Sequence, residues 1–167
     1  LAGGVAAAEQ YVDPNGRLLV RVFKTTADPF VGRLTYLRVM SGTLKSQAHV
    51  WNTTRDEDER IGQLLLLHGK EQEPIGELKA GEIGAVAKLA VTETGDTLAS
   101  REAWLTLPAL EFPSPSLVVA IEPVSKQDLD KMGPALQRML EEEPTVRLER
   151  TALGEQVLVT MGEAQNA

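Results

Sequence analysis

The sequence predicts a mainly β chain that closes with a small α+β part, and three observations carry that expectation. Between Leu18 and about Leu110 the apolar residues fall in short runs separated by turn signals. A proline-rich stretch follows. Beyond it the apolar period changes from strand-like to helical and back, so an all-β barrel or sandwich should be followed by an open α+β layer.

The strand runs of the first part are "LLVRVF", "RLTYLRVM", "AHVW", "RIGQLLLL", "IGAVAKLAV" and "AWLTL". "TETGDT", Thr92 to Thr97, has a glycine among polar residues and reads as a hairpin loop. "RDEDER", Arg55 to Arg60, lacks the alternating ligands and the glycine of a calcium loop and reads as a solvated hairpin tip. In "LPALEFPSPS", Pro108, Pro113 and Pro115 remove backbone donors and fix φ, which marks Leu107 to Ser116 as a linker. It is a plain connector or a place for relative movement.

After the linker, "SLVVAIEPV" alternates as a strand does, and Leu129, Met132, Leu136, Met139 and Leu140 recur three and four apart on one helical face. Ser125 and Asp128 form a capping-box-like pair at the start of that helix, and Pro144 ends it. Gly133-Pro134 inside the pattern predicts a kink or a late start near Pro134, because proline loses a hydrogen bond and clashes with the preceding turn. "TVRLER" and "EQVLVTM", joined by "TALG", should form a hairpin.

Composition narrows the function classes. The chain has 167 residues and 43% hydrophobic content, enough for a packed core. It has no run of eighteen apolar residues, and its N-terminus lacks a basic signal region, so no membrane partner is expected. The absence of cysteine excludes disulfides, a thiolate nucleophile and zinc held by sulfur, and it fits a cytoplasmic location. A formal net charge of -7 argues against DNA or bulk RNA binding, so a nucleic-acid contact would have to be local.

Catalytic motifs are missing. No G-x-x-x-x-G-K-[ST] loop is present to cradle phosphates, and "DKMG", Asp130 to Gly133, matches a magnesium-site motif only by coincidence, since it falls inside the helical pattern. His49 and His68 lie in apolar strand patterns with no acid or second ligand at useful spacing. Ser41 has no nucleophile elbow around it and reads as a turn residue. The loops at Asp28-Pro29 and Ser41-Gly42 are expected to point polar groups outward, with Lys24, Arg33, Arg38 and Lys45 nearby. Such a surface can grip a phosphate backbone locally; equally, these are ordinary solvated strand residues.

"KTTADPFVGRLTYLRVMSGTL", "WNTT", "IGELKAGEIGAV", "TGDTL", "FPSPSLVVAIEP", "ALQRMLEEEPT" and "MGE" follow one another as in bacterial elongation factor G, which the chain resembles from about Asp13 to Glu163. The resemblance implies a translation-factor β-barrel (domain II) over residues 17–110 and an incomplete ferredoxin-like βαββ domain III over 111–167. Residues 1–16 would be the connection from a G domain lying before Leu1, and that domain, not this chain, would bind GTP and magnesium. It further implies that Lys24, Arg33, Arg38, Ser41 and Lys45 meet small-subunit ribosomal RNA, and that Pro144, Thr145, Met161, Gly162 and Glu163 lie near the docking surface of the G domain. The chain would then be a non-catalytic part of a GTPase that contacts the ribosome and relays nucleotide-dependent rearrangement during translocation. Val146 stands where the family usually has Phe after Pro-Thr, and Thr160 to Gln165 stand where it has Gly-Met-Gly-Glu-Leu-His. A paralogue acting as a regulatory or protein-interaction module, without translocation activity, is therefore the alternative.

Overall fold

The computed structural model describes residues 13–28, 31–69, 71–102, 105–152 and 154–165. The chain divides into two compact units, Leu1–Ala109 and Leu110–Ala167.

Among its described residues the first unit has ten strands: β1 (Leu19–Asp28), β2 (Gly32–Ser41), β3 (Thr43–Lys45), β4 (His49–Asn52), β5 (Glu57–Arg60), β6 (Leu64–His68), β7 (Glu71–Ile75), β8 (Glu77–Lys79), β9 (Ile83–Ala87) and β10 (Thr97–Ala99). Eight form an antiparallel sheet in the order β5-β4-β10-β1-β2-β9-β6-β7, and β3 pairs with β8. Strand alternation turns Val20 and Val22 of β1 and Leu37 and Val39 of β2 into one interior. Leu44 and Leu78 of the β3–β8 pair join the same core, as do Val50, Ile61, Leu64, Val86 and Leu98. Six neighbouring strands of the large sheet, in the order β4-β10-β1-β2-β9-β6, send side chains into this one cluster, so the sheet curls around it as a barrel does. Each of these side chains contributes about 1.5–3 kcal/mol through burial.

Several expectations are corrected here. "TETGDT" does not join paired strands: β9 lies between β2 and β6, whereas β10 lies between β1 and β4, so the loop carries the chain across the barrel. Gly95 supplies its left-handed turn (φ +99). "AWLTL" is no strand over its described residues 105–107, and residues 103 and 104 lie outside the described part. Instead Leu107 is buried against Leu19 and Ala99, its N–H donating to Thr97 Oγ1, so the expected linker begins with a residue anchored in the barrel. Residues 13–16, expected as a connection, bind the turn after β2, where the Gly42 and Gly16 N–H groups both donate to the Asp13 carbonyl.

In the second unit, β11 (Leu117–Ala120), α1 (Lys126–Glu142), β12 (Arg147–Arg150) and β13 (Gln156–Thr160) follow in order. The sheet order is β11-β13-β12, with both pairs antiparallel, so β13 lies between two strands that the helix connects. This is the split βαβ arrangement of a ferredoxin-like layer. "TVRLER" and "EQVLVTM" form the expected hairpin, and Gly154 turns it at φ +87.

The helix does not start late. Ser125 caps it, accepting from the Asp128 N–H, and regular structure runs uninterrupted through Pro134. Leu129, expected on the apolar face, is exposed, while Met132, Leu136, Met139 and Leu140 are half-buried. The Asp130 carbonyl, lacking a donor at Pro134, lies on an exposed stretch that water can reach. Pro134→Ala should therefore stabilise the second unit by about 2 kcal/mol, less than the full helix-interior penalty of about 3 kcal/mol. Helix content followed through thermal unfolding checks this, and an unchanged or lowered midpoint would show that the proline is not a local cost.

Candidate functional site

The β1–β2 register decides which cations share a face. Arg21 pairs with Arg38 and Lys24 with Tyr36, with an irregularity between Val22 and Lys24 that brings Lys24 to the outer side. Lys24 and Arg38 are thus exposed diagonal neighbours on the barrel exterior. Phe23 and Tyr36 pack beside them with ring centroids 6.3 Å apart.

The other candidates are placed differently. Arg33 is half-buried and donates to the Thr92 carbonyl, which binds it to the loop between β9 and β10. Ser41 is only 6% exposed; contrary to the outward orientation expected of this loop, its hydroxyl approaches the Asp13 carbonyl at 3.4 Å. Lys45 is exposed on the separate β3–β8 pair, opposite Glu77. Pro29, at the other loop, lies outside the described residues.

A buried polar network that sequence reasoning missed holds the Thr92–Thr97 loop. Glu59, read as part of a solvated tip, lies on β5 and is 3% exposed. The tip itself is residues 53–56. Glu59 accepts from the backbone N–H groups of Ala90, Val91 and Thr92 at 2.9–3.0 Å, and from the Thr92 hydroxyl at 2.9 Å. Asn52 donates to Thr92 Oγ1 and to Asp96 Oδ2, and Asp96 also accepts from Arg55 Nε at 2.6 Å. Arg55 additionally pairs with Glu93. Burial alone would lower the Arg55 pKa, but the hydrogen bonds and charges of Asp96 and Glu93 hold it above its ordinary value, so the network keeps its cation. No local signal marks Glu59 among the three consecutive acids of β5, because its partners lie 31 to 33 residues further along the chain.

His49, read as lacking an adjacent acid, contacts Asp58 across β4 and β5 at 2.9 Å, on the exposed surface. His68 is exposed at the end of β6. Among the described residues no group of three His, Cys, Asp or Glu side chains is placed to hold a metal. No helix among them is long and apolar enough to cross a membrane.

In the second unit the structure brings together the two segments expected near a G domain. Gln165 donates to Thr145 Oγ1 at 2.9 Å and to Glu143 at 3.3 Å, while its Oε1 accepts from the Met161 N–H at 2.7 Å. Pro144 and Thr145 are therefore tied to Met161, Gly162 and Glu163 through a residue that sequence reasoning treated only as a departure. Met161 is 41% exposed, and Glu163 is exposed in a short 3-10 turn.

Comparison with known proteins agrees with both units. Residues 17–101 match elongation factor G domain 2, and residues 112–166 match elongation factor G, domain III. A crystal structure of a protein from Thermus thermophilus is similar over 95% of this chain, with 31% identity and a TM-score of 0.80. The chain spans 24% of that protein's length. It belongs to the elongation factor G family, within which these residues form a translation-factor barrel and the α+β layer that follows it.

Proposed function

We propose that this chain is the part of a translational GTPase that rests on the small ribosomal subunit and passes nucleotide-dependent rearrangement of a G domain to it. The supporting observation is the exposed pair Lys24 and Arg38 on the outer face of β1 and β2, in a barrel of the elongation factor G family. In an acidic chain, two adjacent cations on a rigid sheet can neutralise phosphates locally and position the protein without reading sequence. Lys45 would extend the contact, while Arg33 and Ser41 would shape the loops. GTP and magnesium would be held by the G domain and not by these residues, the chain itself would be non-catalytic, and the setting would be the cytoplasm.

Replacing Lys24 and Arg38 together by alanine should lower co-sedimentation with small subunits several-fold and flatten its dependence on log salt by about 1–2 units of slope. Binding indistinguishable from the parent would remove this face from the interface. Arg33→Ala should act through the fold instead, because it frees the Thr92 carbonyl.

One observation favours the second reading, a paralogue with a regulatory role. Gln165 occupies a family histidine position and closes upon Glu143, Thr145 and Met161, so the surface offered to a G domain differs from the family's usual one. If Gln165→His restores or strengthens nucleotide-dependent ribosome binding of the whole protein, the relay reading holds; no response together with salt-insensitive binding favours the regulatory module.

A further inference from the structure

The barrel carries a second cationic feature, separate from the outer face of β1 and β2. A cleft of about 520 Å3 is lined by Arg60, Lys88, Gln47 and Gln63, with Gly62 among the residues at its wall, and none of its lining residues is acidic. In a chain with 24 acidic residues against 17 basic ones, a concave surface with two cations, two amides and no carboxylate runs against the composition. Among the described residues neither cation forms a salt bridge. Arg60 donates to the neutral Gln47 Oε1 at 3.2 Å, and Asp58, two residues before it on β5, is engaged by His49.

The backbone of the cleft is unusual as well. Gln47 (φ +62) and Lys88 (φ +59) both adopt the left-handed conformation, which among the described non-glycine residues only Asp56 shares. Residues with a Cβ adopt it uncommonly, in turns such as that of Asp56 and at strained positions that include ligand clamps. Here backbone bonds hold both in place: the Gln47 N–H donates to the Gly62 carbonyl and the Lys88 N–H to the Arg33 carbonyl. The two strained positions thereby present side chains to the same space from different loops.

We infer that this cleft binds a phosphate group, carried either by an RNA phosphodiester or by a free phosphate compound. Arg60 supplies a forked donor, Lys88 a point charge and the Gln47 amide a neutral donor, a combination suited to a phosphate without a metal, while Gln63 Nε2 donates to the Leu64 and Ile75 carbonyls and only shapes the wall. The inference rests on the charge and shape of the cleft and not on the ribosome-facing role of Lys24 and Arg38.

Amide chemical shifts of the 15N-labelled chain, titrated at low salt with a short single-stranded oligoribonucleotide and separately with pyrophosphate, test it. The oligoribonucleotide or pyrophosphate should perturb Gln47, Gly62, Gln63 and Lys88, and the affinity read at those amides should fall at least tenfold in the Arg60→Gln, Lys88→Asn double variant. Asparagine tolerates the left-handed conformation, so that variant should remain folded. As a second block that leaves both charges in place, Gly62→Val fills the cleft; a Cβ at Gly62 meets only the Ala87 carbonyl oxygen, at 3.8 Å. Lys24→Ala with Arg38→Ala should leave these perturbations unchanged, which separates this site from the outer face. Perturbation of these amides by pyrophosphate alone makes the site one for a free phosphate compound, and perturbation by the oligoribonucleotide makes it one for a phosphodiester. Perturbations by both probes confined to amides outside the cleft, or parent-like shifts at the cleft amides in both cleft variants, would overturn the site itself.

Discussion

Glu59→Ala should lower the stability of the barrel by about 4 kcal/mol, since it leaves the buried N–H groups of Ala90, Val91 and Thr92 and the Thr92 hydroxyl without their shared acceptor. No water-exposed group can replace that carboxylate, which is almost fully buried. Glu59→Gln keeps the volume but puts an amide donor among donors, so it should recover only part of the loss. The neighbours Glu57 and Asp58 are exposed, and alanine there should cost within about 0.5 kcal/mol. Chemical denaturation of the three alanine variants makes the comparison. A Glu59→Ala loss no larger than that of Glu57→Ala would mean that the loop after β9 is held by other means.

The second large effect is expected at Gly42. Its φ of +73 already disfavours a side chain, and a Cβ there would stand 2.8 Å from the Leu18 backbone and 2.9 Å from the Gly16 carbonyl oxygen. Backbone on both sides must shift, so Gly42→Ala should cost about 3 kcal/mol. Gly32 is the internal control: its φ is +79, yet a Cβ there meets nothing within 4 Å. Gly32→Ala should therefore cost only about 1 kcal/mol, the conformational part alone. Equal losses at the two positions, read from denaturation midpoints, would show that the close approach to Leu18 carries no energy.

What was legible in the sequence depended on whether the causal contacts are local. The long strands β1 and β2 announce themselves by alternating Val and Leu against Thr, Arg and Tyr, and Ser125 with Asp128 marks the helix start, because periodicity and capping act within a few residues. Strands β3, β5, β7 and β8 did not stand out. They have three to five residues each, and β5 is entirely charged, so their identity comes from partners elsewhere. Pro74 sits within β7, which lies at the sheet edge where a missing donor is tolerated.

The same distinction holds for the candidate site. The cations were visible, but which of them share a face was set by the irregularity after Val22 and by the pairing of Arg33 with Thr92. Ser41 and Glu59 were misread because a polar residue's burial follows from the final packing and not from its own chemistry. Pro134 was misread in the opposite direction: its local cost is real, yet the surrounding turns keep helical form through it.

The placement of β10 between β1 and β4 has a consequence for the order of events during synthesis. A chain emerging from its N-terminus can pair β1 with β2 at once, since these strands are neighbours in sequence. The gap between β1 and β4 stays open until Thr97–Ala99 has emerged, and Leu107, whose N–H binds Thr97, comes later still. Until then Val20, Val22 and Val50 face water, and the free backbone of β1 is an unpaired edge open to another nascent chain. The final strand insertion is thus both the slow, high-contact-order step and the one that ends the vulnerable interval.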